Sequence, residues 1–223
     1  MKGLRTPAGG LRTPAGRGLF ISFEGVEGSG KSTQARLLKD YLEIRGYNVA
    51  LTKEPGGTKI SDRIRELLLA NEHTEMDPVT ELFLYFASRR QHIKELIEPS
   101  LKKGMIVITD RFSDSTAAYQ GYGRGIDMGL IESLNSTAAE GLKPDLTILL
   151  DTDVEEGLRR NQGIKSDRLE LENVEFHKKV REGFLEIAKK EPKRVKLIDS
   201  TGGIEKTHEA VVRAVEEFLG EKR

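Results

Sequence analysis

Short apolar runs alternate with amphipathic segments along the chain from Leu19 onward. Each apolar run is nearly continuous, which is typical of a strand buried on both faces of a sheet. The runs predict five strands, at residues 19–23, 48–52, 105–109, 146–150 and 195–198. A parallel sheet is therefore favoured, because parallel strands are the ones usually covered on both faces.

The segments between these runs carry apolar residues at helical spacing. Leu38 and Leu42 share one face of segment 32–45, and Gly46 is suited to end that helix. Another helix begins near Pro78, with an apolar face made of Leu82, Phe83, Phe86 and Ile93. Further helices are predicted at 60–70, 130–139, 154–160, 174–189 and 205–219. Strands that alternate with helices predict an α/β fold with right-handed crossovers and no internal domain boundary.

The first residues do not share this pattern. Residues 3–9 and 10–16 repeat the heptad GLRTPAG, which is dominated by Pro, Gly and Arg and has no hydrophobic period. Such a segment is not expected to pack, so we predict a flexible leader over residues 1–18 and one domain over 19–223. A basic arm that touches a partner is the alternative.

Composition narrows the classes of function. Lys plus Arg and Asp plus Glu both number 36, and this zero net charge argues against a dedicated nucleic-acid-binding protein. No apolar run approaches the roughly 20 residues needed to cross a bilayer, and no secretory leader is present. Cysteine is absent, which excludes disulfides, thiolate zinc sites and thiol nucleophiles. We expect a cytoplasmic protein without nucleic-acid or membrane partners.

Residues 25–32, GVEGSGKS, form a complete G-x-x-x-x-G-K-[ST] motif between a predicted strand and a predicted helix. Glycines let successive N–H groups turn toward an anion, and the helix dipole adds to the same field. Lys31 is suited to bridge the β- and γ-phosphates of a nucleotide, and the Ser32 hydroxyl to bind Mg²⁺. The residues expected to contact ATP are Gly25, Val26, Glu27, Gly28, Ser29, Gly30, Lys31, Ser32 and Thr33. The motif alone does not separate a kinase from a motor, a GTPase or a transporter subunit.

A second signal is MIVITDR, residues 105–111, a predicted strand that ends in Asp-Arg. Asp110 is suited to position Mg²⁺ or its waters, and Arg111 to grip a second phosphate. The chain contains no N-K-x-D guanine-specificity motif and no LSGGQ motif, and it carries additional arginines after the P-loop. An enzyme that binds a phosphorylated acceptor beside a nucleotide needs such cations.

The chain resembles thymidylate kinases of the bacterial type, in that family's order and spacing, from residue 19 to about 219. The segments that carry the resemblance are FEGVEGSGKSTQ (23–34), EPGGT (54–58), SRRQH (88–92), DRFSDSTAAYQG (110–121), GRGI (123–126), PDLTILLD (144–151) and SDRLE (166–170). EPGGT and DRFSDSTAAYQG are far more discriminating than the P-loop. The resemblance implies a P-loop NTPase fold with a five-stranded parallel sheet flanked by helices, a short lid, a homodimer, and phosphoryl transfer from ATP to dTMP.

The resemblance also implies residue roles. The acceptor site would contain Glu54, Pro55, Arg65, Tyr85, Arg89, Arg111, Thr116, Tyr119 and Gln120. In the family, residues at the positions of Arg65 and Arg111 lie near the acceptor phosphate, and one at the position of Arg89 lies at the thymine carbonyl edge. Thr116 and Gln120 would read the thymine edge, and Tyr119 would crowd the 2′ position of the sugar. Tyr85 either stacks on the base or belongs to the core.

The catalytic and metal positions follow in the same way. Glu24 would lie near the metal and the acceptor phosphate, beside the metal-binding Ser32 and Asp110. The P-loop carries Glu27-Gly28 where one branch of the family has a catalytic arginine, so we expect the cation to come from a lid at 159–170. The candidates are Arg159, Arg160, Lys165 and Arg168, with Arg160 expected to act and Arg168 second. The bacterial branch usually has a denser arginine cluster there.

Other functions remain open at this point. The nearest alternatives are another nucleoside monophosphate kinase, for UMP/CMP or AMP, and a deoxynucleoside kinase. A non-enzymatic P-loop regulator would bind ATP without transferring phosphate. His92 is predicted to be a helix residue with local hydrogen bonds, because this kind of phosphoryl transfer needs little proton chemistry.

Overall fold

The computed structural model describes residues 17–161 and 167–221. The strands are β1 (Phe20–Glu24), β2 (Val49–Lys53), β3 (Ile106–Asp110), β4 (Leu146–Asp151) and β5 (Val195–Asp199). Within the described ranges they form one parallel sheet in the order β2-β3-β1-β4-β5. The predicted five-stranded parallel sheet is confirmed, and each strand begins and ends within one residue of its predicted bounds.

The helices surround this sheet. They are α1 (Lys31–Ile44), α2 (Lys59–Leu69), α3 (Pro78–His92), α4 (Glu98–Lys102), α5 (Ser113–Thr116), α6 (Met128–Ala139), α7 (Val154–Arg160), α8 (Val174–Lys190) and α9 (Ile204–Glu221). A π-helical segment, Ile93–Ile97, joins α3 to α4, and a second one, Ala117–Gly123, continues α5. The predicted helices are confirmed, whereas α4, α5 and both π-helical segments are additions to the prediction.

The register of the sheet brings two of the predicted motifs together. Strand β1 lies between β3 and β4, and Phe23 is opposite both Asp110 and Ile148. Because parallel strands end at the same edge of a sheet, the P-loop after β1 lies beside Asp110 and Arg111 after β3.

The core lies on both faces of the sheet. On one face, Leu38 and Leu42 of α1 pack with Val211 and Val215 of α9 against β1. On the other face, the rings of Phe20 and Phe112 meet edge to face with their centroids 4.9 Å apart. Each buried side chain of this size contributes about 1.5–3 kcal/mol relative to an exposed one. The sheet is therefore a rigid support for the loops at its carboxyl edge.

Two sequence expectations need correction. The outer strands β2 and β5 are not buried on both faces, since Leu51 is 37% exposed and Leu197 is 52% exposed. Each has a neighbouring strand on one side only, and its covering is incomplete. Phe83, assigned to the apolar face of α3, is 53% exposed.

Some expectations concern residues outside the described ranges. The tandem heptad at 3–16 and Lys165 of the lid both lie there, so the predictions made for them stay predictions. Among the helices that the structure does describe, none combines the length and the apolar character needed to span a membrane.

Candidate active site

The P-loop is docked against α7 by two glycines. Gly28 has φ +68°, and a Cβ atom there would lie 2.0 Å from the backbone oxygen of Gly157. A Cβ atom at Gly157 would in turn lie 2.3 Å from the backbone oxygen of Glu27. Only glycine has both the backbone conformation and the space required at residue 28. The loop that presents N–H groups to an anion is therefore positioned by the helix that leads to Arg160.

Lys31 extends back across this loop. Its side chain is buried, and Nζ donates to the Val26 carbonyl at 2.7 Å and to Ser29 Oγ at 3.4 Å. Burial lowers the pKa of Lys31, and the nearby Arg111 charge lowers it further. A phosphate placed on the loop would stabilise the charged ammonium that burial disfavours.

Ser32 and Asp110 form the candidate metal position. Ser32 Oγ donates a hydrogen bond to Asp110 Oδ2. A hydroxyl and a carboxylate suit Mg²⁺, which usually keeps several waters and is bound through one or two carboxylates plus substrate phosphates. Among the described residues there is no cluster of three or more acidic or histidine side chains that would hold a metal by itself.

A cleft of about 530 Å³ joins the P-loop to the predicted acceptor residues. It brings together most of the residues expected from the sequence: Glu27, Gly28, Gly30, Lys31, Ser32, Thr33, Glu54, Pro55, Arg65, Tyr85, Arg89, Asp110, Arg111, Thr116, Tyr119, Gln120 and Arg160. Five expected residues are not part of its lining: Glu24, Gly25, Val26, Ser29 and Arg168.

Arg111 lies where the two halves of the cleft meet. Its backbone has φ +73°, an uncommon value for a residue other than glycine. Nη1 donates to the Gly25 carbonyl at 3.0 Å, and Nη2 donates to Tyr119 Oη at 3.1 Å and to Glu27. Burial by itself raises the pKa of Glu27, but the charges of Arg111 and Lys31 and the hydrogen bonds from Tyr119 and Arg111 together outweigh it and hold that pKa at about 2. Arg111 is thus fixed by the P-loop and already faces a negative charge.

Glu24 lies behind Arg111 rather than in the cleft. It is fully buried, and its two oxygens accept from the Phe112 N–H at 2.8 Å and from Ser115 Oγ. Burial and the negative charge of Asp114 raise the pKa of Glu24 to about 8. In this arrangement Glu24 supports the loop that carries Arg111, and its expected place near the metal stays a prediction.

Arg89 and Glu54 form a second, deeply buried ion pair. Arg89 is 2% exposed, and its Nε donates to Glu54 at 2.8 Å while Nη2 donates to Thr116 Oγ1 at 2.9 Å. Burial favours a raised pKa at Glu54, but Arg89 and His92 outweigh it and hold the pKa below its usual range. His92 is completely buried and contacts Thr52 Oγ1 at 2.7 Å and Glu54 at 3.1 Å. His92 is therefore a hydrogen-bonded helix residue, as predicted, but its partners lie on β2 and in the loop that follows it rather than nearby in the sequence.

Two further acceptor residues line the same wall. Arg65 donates to the Pro55 carbonyl at 2.8 Å, which holds its guanidinium beside the loop that follows β2. Tyr85 packs against the buried cluster that contains Val26 and Tyr119, and it also lines the cleft. Tyr85 therefore belongs to the core and also lies at the cleft, and its stacking on the base stays a prediction.

The described arginines of the lid differ in position. Arg160 lines the cleft; its Nε donates to Glu156 at 3.0 Å and its Nη1 to the Ser200 carbonyl at 3.3 Å. Arg168 is 9% exposed and is held by buried Glu81 and by the Leu68 carbonyl. Arg159 is 71% exposed and pairs with Glu156. Of the lid cations that the structure describes, Arg160 alone lines the cleft.

Several residues of the site were not identified from the sequence. Lys53, Asp167 and Glu170 line the cleft, Ser115 links Glu24 to Arg111, and Asn135 accepts from Arg89 at 3.2 Å. Glu81 lies one helical turn before Tyr85 and two before Arg89 on α3. That spacing on one helix face was a usable signal for Glu81, because Tyr85 and Arg89 were already assigned to the acceptor site.

The fold and the site together define a class of protein. A P-loop follows the central strand of a parallel sheet, a hydroxyl–carboxylate pair suited to Mg²⁺ lies beside it, and Arg65, Arg89 and Arg111 line the same cleft. This is the arrangement of a P-loop kinase that holds a phosphorylated acceptor next to its nucleotide.

A sequence model described as thymidylate kinase matches residues 23–211, and the chain therefore belongs to the thymidylate kinase family, ATP-dependent phosphotransferases that convert dTMP to dTDP. A thymidylate kinase of Pelobacter propionicus is 51% identical over 205 residues, which cover 89% of this chain and 94% of that protein. One from Caldanaerobacter subterraneus subsp. tengcongensis is 49% identical over 203 residues, covering 91% of this chain and 97% of that protein. The crystal structure of thymidylate kinase from Ehrlichia chaffeensis matches with a TM-score of 0.73 at 41% identity, over 89% of this chain and 98% of that chain.

Proposed function

We propose that the cleft transfers the γ-phosphoryl group of ATP directly, and in line, to the phosphate of dTMP. The observation that carries this proposal is one continuous cleft that is lined both by the P-loop and by Arg89 and Arg111. Such a cleft fixes donor and acceptor at short distance, which supplies proximity and orientation rather than acid–base chemistry.

The donor half is built from the P-loop. Its N–H groups and Lys31 would hold the β- and γ-phosphates, and Ser32 with water-linked Asp110 would hold Mg²⁺. When bound there, Mg²⁺ would supply positive charge to offset the negative charge that develops on the transferred group. Of the lid cations within the described ranges, Arg160 is the one best placed to add to this stabilisation, since it lines the cleft near the end of α7.

The acceptor half is built from residues that are paired in the free protein. Arg111 and Arg65 would aim the dTMP phosphate, so an incoming phosphate competes with Glu27 for Arg111. Arg89 and Gln120 would meet the pyrimidine edge, and Tyr85 would stack on the ring, an interaction worth about 0.5–1.5 kcal/mol beyond burial in aromatic pairs.

We also propose that the protein is a homodimer. Helix α3 packs against α2 and α6, and all three expose large apolar side chains. These side chains are Ile60 and Leu67 on α2, Val79 and Phe83 on α3, and Leu130 on α6. Exposed apolar side chains on adjacent helices are typical of an interface, and the same surface of a second copy of this chain would cover them. The expected cytoplasmic location stays a prediction.

The test is ADP release with ATP, Mg²⁺ and a panel of acceptors: dTMP, dUMP, CMP, AMP and thymidine. We expect dTMP to be used best and dUMP to be turned over about 10- to 200-fold less efficiently, because one methyl group separates them. Thymidine is expected to be inactive, since it lacks the phosphate that Arg65 and Arg111 would bind. A preference for CMP or AMP would identify another monophosphate kinase, and ATP binding without dTDP formation would identify a regulator.

A further inference from the structure

A buried carboxylate under the acceptor half of the cleft has no part in the phosphoryl transfer described above. Glu81 of α3 is 1% exposed and is not among the residues that line the cleft. It accepts hydrogen bonds from Gln120 Nε2 at 2.9 Å, from Arg124 Nη2 at 3.3 Å and from Arg168 Nη2. One carboxylate therefore joins α3 to the π-helical segment 117–123, to the residue that follows it, and to the distal part of the lid.

The charge state of Glu81 decides how Gln120 is oriented. Burial by itself raises the pKa of Glu81, but the hydrogen bond from Gln120 and the charges of Arg124 and Arg168 outweigh it and hold the pKa below its usual range. An ionised carboxylate is an acceptor only, so it binds the NH₂ group of an amide and not the carbonyl. Gln120 must therefore turn its NH₂ group toward Glu81.

Because its NH₂ group faces Glu81, Gln120 can offer a ligand only its carbonyl oxygen, which is a hydrogen-bond acceptor. Gln120 lines the cleft, and no described residue donates to its carbonyl oxygen Oε1. Beside it, Arg89 uses one N–H of Nη1 on Asn135 and one of Nη2 on Thr116. A guanidinium carries two N–H bonds on each Nη, so Arg89 retains one donor on each. The wall of the pocket thus presents an acceptor next to donors.

We propose that Glu81 is a positioning residue that sets which pyrimidine the cleft accepts, by locking the Gln120 amide with its carbonyl toward the base. A carbonyl at this point accepts from the N3–H of a 4-oxo pyrimidine, and the Arg89 donors match its 4-oxygen. A 4-amino pyrimidine reverses both groups, since its N3 is an acceptor and its 4-position is a donor. Two mismatched buried contacts would then exclude it. The inference rests on the proposed function, because it assigns the base to this wall.

The experiment compares kcat/KM for dTMP with kcat/KM for dCMP in the native chain and in Glu81→Gln. A glutamine at residue 81 offers either an acceptor or a donor, so Gln120 is free to turn over and accept a 4-amino base. We expect the dTMP-to-dCMP ratio to fall by about ten- to a hundredfold, the equivalent of one buried hydrogen-bond mismatch. Arg124→Gln is the matched control, because it removes an ion pair of Glu81 but leaves Gln120 held, and it should keep the native ratio.

A second variant makes the test independent of the folding of the first. Gln120→Leu removes the amide, so it should lower the ratio by itself, and adding Glu81→Gln to it should lower the ratio no further. An unchanged ratio in Gln120→Leu, or in folded Glu81→Gln, overturns the inference, as does an equal loss of both activities in Glu81→Gln. Absence of dTDP formation by the native chain would refute the proposed function instead.

Discussion

At the scale of single residues, the site is dominated by paired charges, of which Arg89 and Glu54 are buried and Arg111 and Glu27 are partly buried. Arg111 faces Glu27 and Arg89 faces Glu54, and each arginine is held by further hydrogen bonds. A buried charge is tolerated when it is paired, and removing one partner typically costs about 3–5 kcal/mol. These pairs therefore fix the side chains that would meet dTMP before the ligand arrives.

Arg160 and Arg159 form a natural pair of variants, because both contact Glu156 but Arg160 lines the cleft and Arg159 is largely exposed. We expect Arg160→Ala to lower kcat by about 10³-fold or more, as removal of a catalytic arginine finger does in related chemistry. Arg159→Ala should stay within a few-fold of the native kcat. Steady-state kinetics at saturating ATP and dTMP measures both. If Arg160→Ala and Arg168→Ala are both nearly fully active, no described lid arginine is the finger.

Glu24 predicts a pH dependence of stability. Its pKa in the folded protein, about 8, lies above the ordinary value of 4.5, so the folded state binds this proton more tightly than the unfolded state does. Stability contributed by this group is present below pH 4.5 and is lost as pH rises toward 8, by about 1.4 kcal/mol per pH unit at most. Glu24→Gln keeps hydrogen-bonding groups for Phe112 and Ser115 but cannot ionise.

Urea unfolding of the native chain and of Glu24→Gln at pH 5, 7 and 9 measures this effect. We expect the difference in unfolding free energy to shift in favour of the variant as pH rises. Parallel pH profiles for the two proteins would show that Glu24 titrates normally in the fold.

At the scale of elements, the sequence predicted those strands and helices that have a clear hydrophobic pattern. All five predicted strands are confirmed, and they were predictable because their apolar runs pack against helices. The P-loop between β1 and α1 was predictable because its sequence motif is complete. The segment from Ser113 to Gly123 was missed as a helix, since its buried face includes the polar Ser115, Thr116 and Gln120. Polar residues buried for a site remove the apolar period that identifies a helix.

In helix α3, charged residues are buried and one large apolar residue is exposed, so its hydrophobic pattern misplaces part of the buried face. Its buried face contains Glu81 and Arg89 beside Leu82 and Phe86, whereas Phe83 points outward. The hydrophobic pattern by itself does not identify Glu81 and Arg89 as buried, because charged residues are usually solvated. For Glu81 the available signal was its helical spacing from Tyr85 and Arg89. Partners such as Glu81 with Gln120 join segments 39 residues apart, and the fold alone brings them together.

The close contact between the P-loop and α7 can be tested by replacing Gly28 with alanine. Gly28→Ala would place a Cβ atom 2.0 Å from the Gly157 oxygen, so the loop must move away from α7. We expect kcat/KM for ATP to fall by at least about a hundredfold, through displaced phosphate contacts.

Gly104→Ala is the matched control, since Gly104 has a similar φ of +75° with no atom within 4 Å of the added Cβ. It should lose about 1–2 kcal/mol of stability from the backbone conformation alone. Its activity per folded molecule should stay native. Equal ATP kinetics in the two variants would show that contact with α7 is not needed.

At the scale of the whole molecule, the proposed dimer depends on the apolar surface of α2, α3 and α6. Phe83→Glu places a charge in the middle of that surface, and we expect the dimer dissociation constant to rise by about a hundredfold or more. Light scattering coupled to size-exclusion chromatography measures the mass. Ile44→Glu is the control, because Ile44 is 85% exposed at the end of α1 and outside this surface. A dimer that survives Phe83→Glu but not Ile44→Glu would place the interface elsewhere.

The near balance of charge in the cleft has a consequence for association kinetics. Among the residues that the structure describes, the lining contains six cationic side chains, Lys31, Lys53, Arg65, Arg89, Arg111 and Arg160, and five carboxylates, Glu27, Glu54, Asp110, Asp167 and Glu170. At distances beyond a Debye length of about 8 Å, these nearly balanced lining charges exert little electrostatic attraction on a dianionic ligand. The whole chain has zero formal net charge, so it adds no long-range attraction. Stopped-flow binding of dTMP should therefore show an association rate constant that hardly changes with ionic strength. Diffusion and the rate at which the Arg111–Glu27 ion pair opens would then set how fast dTMP binds.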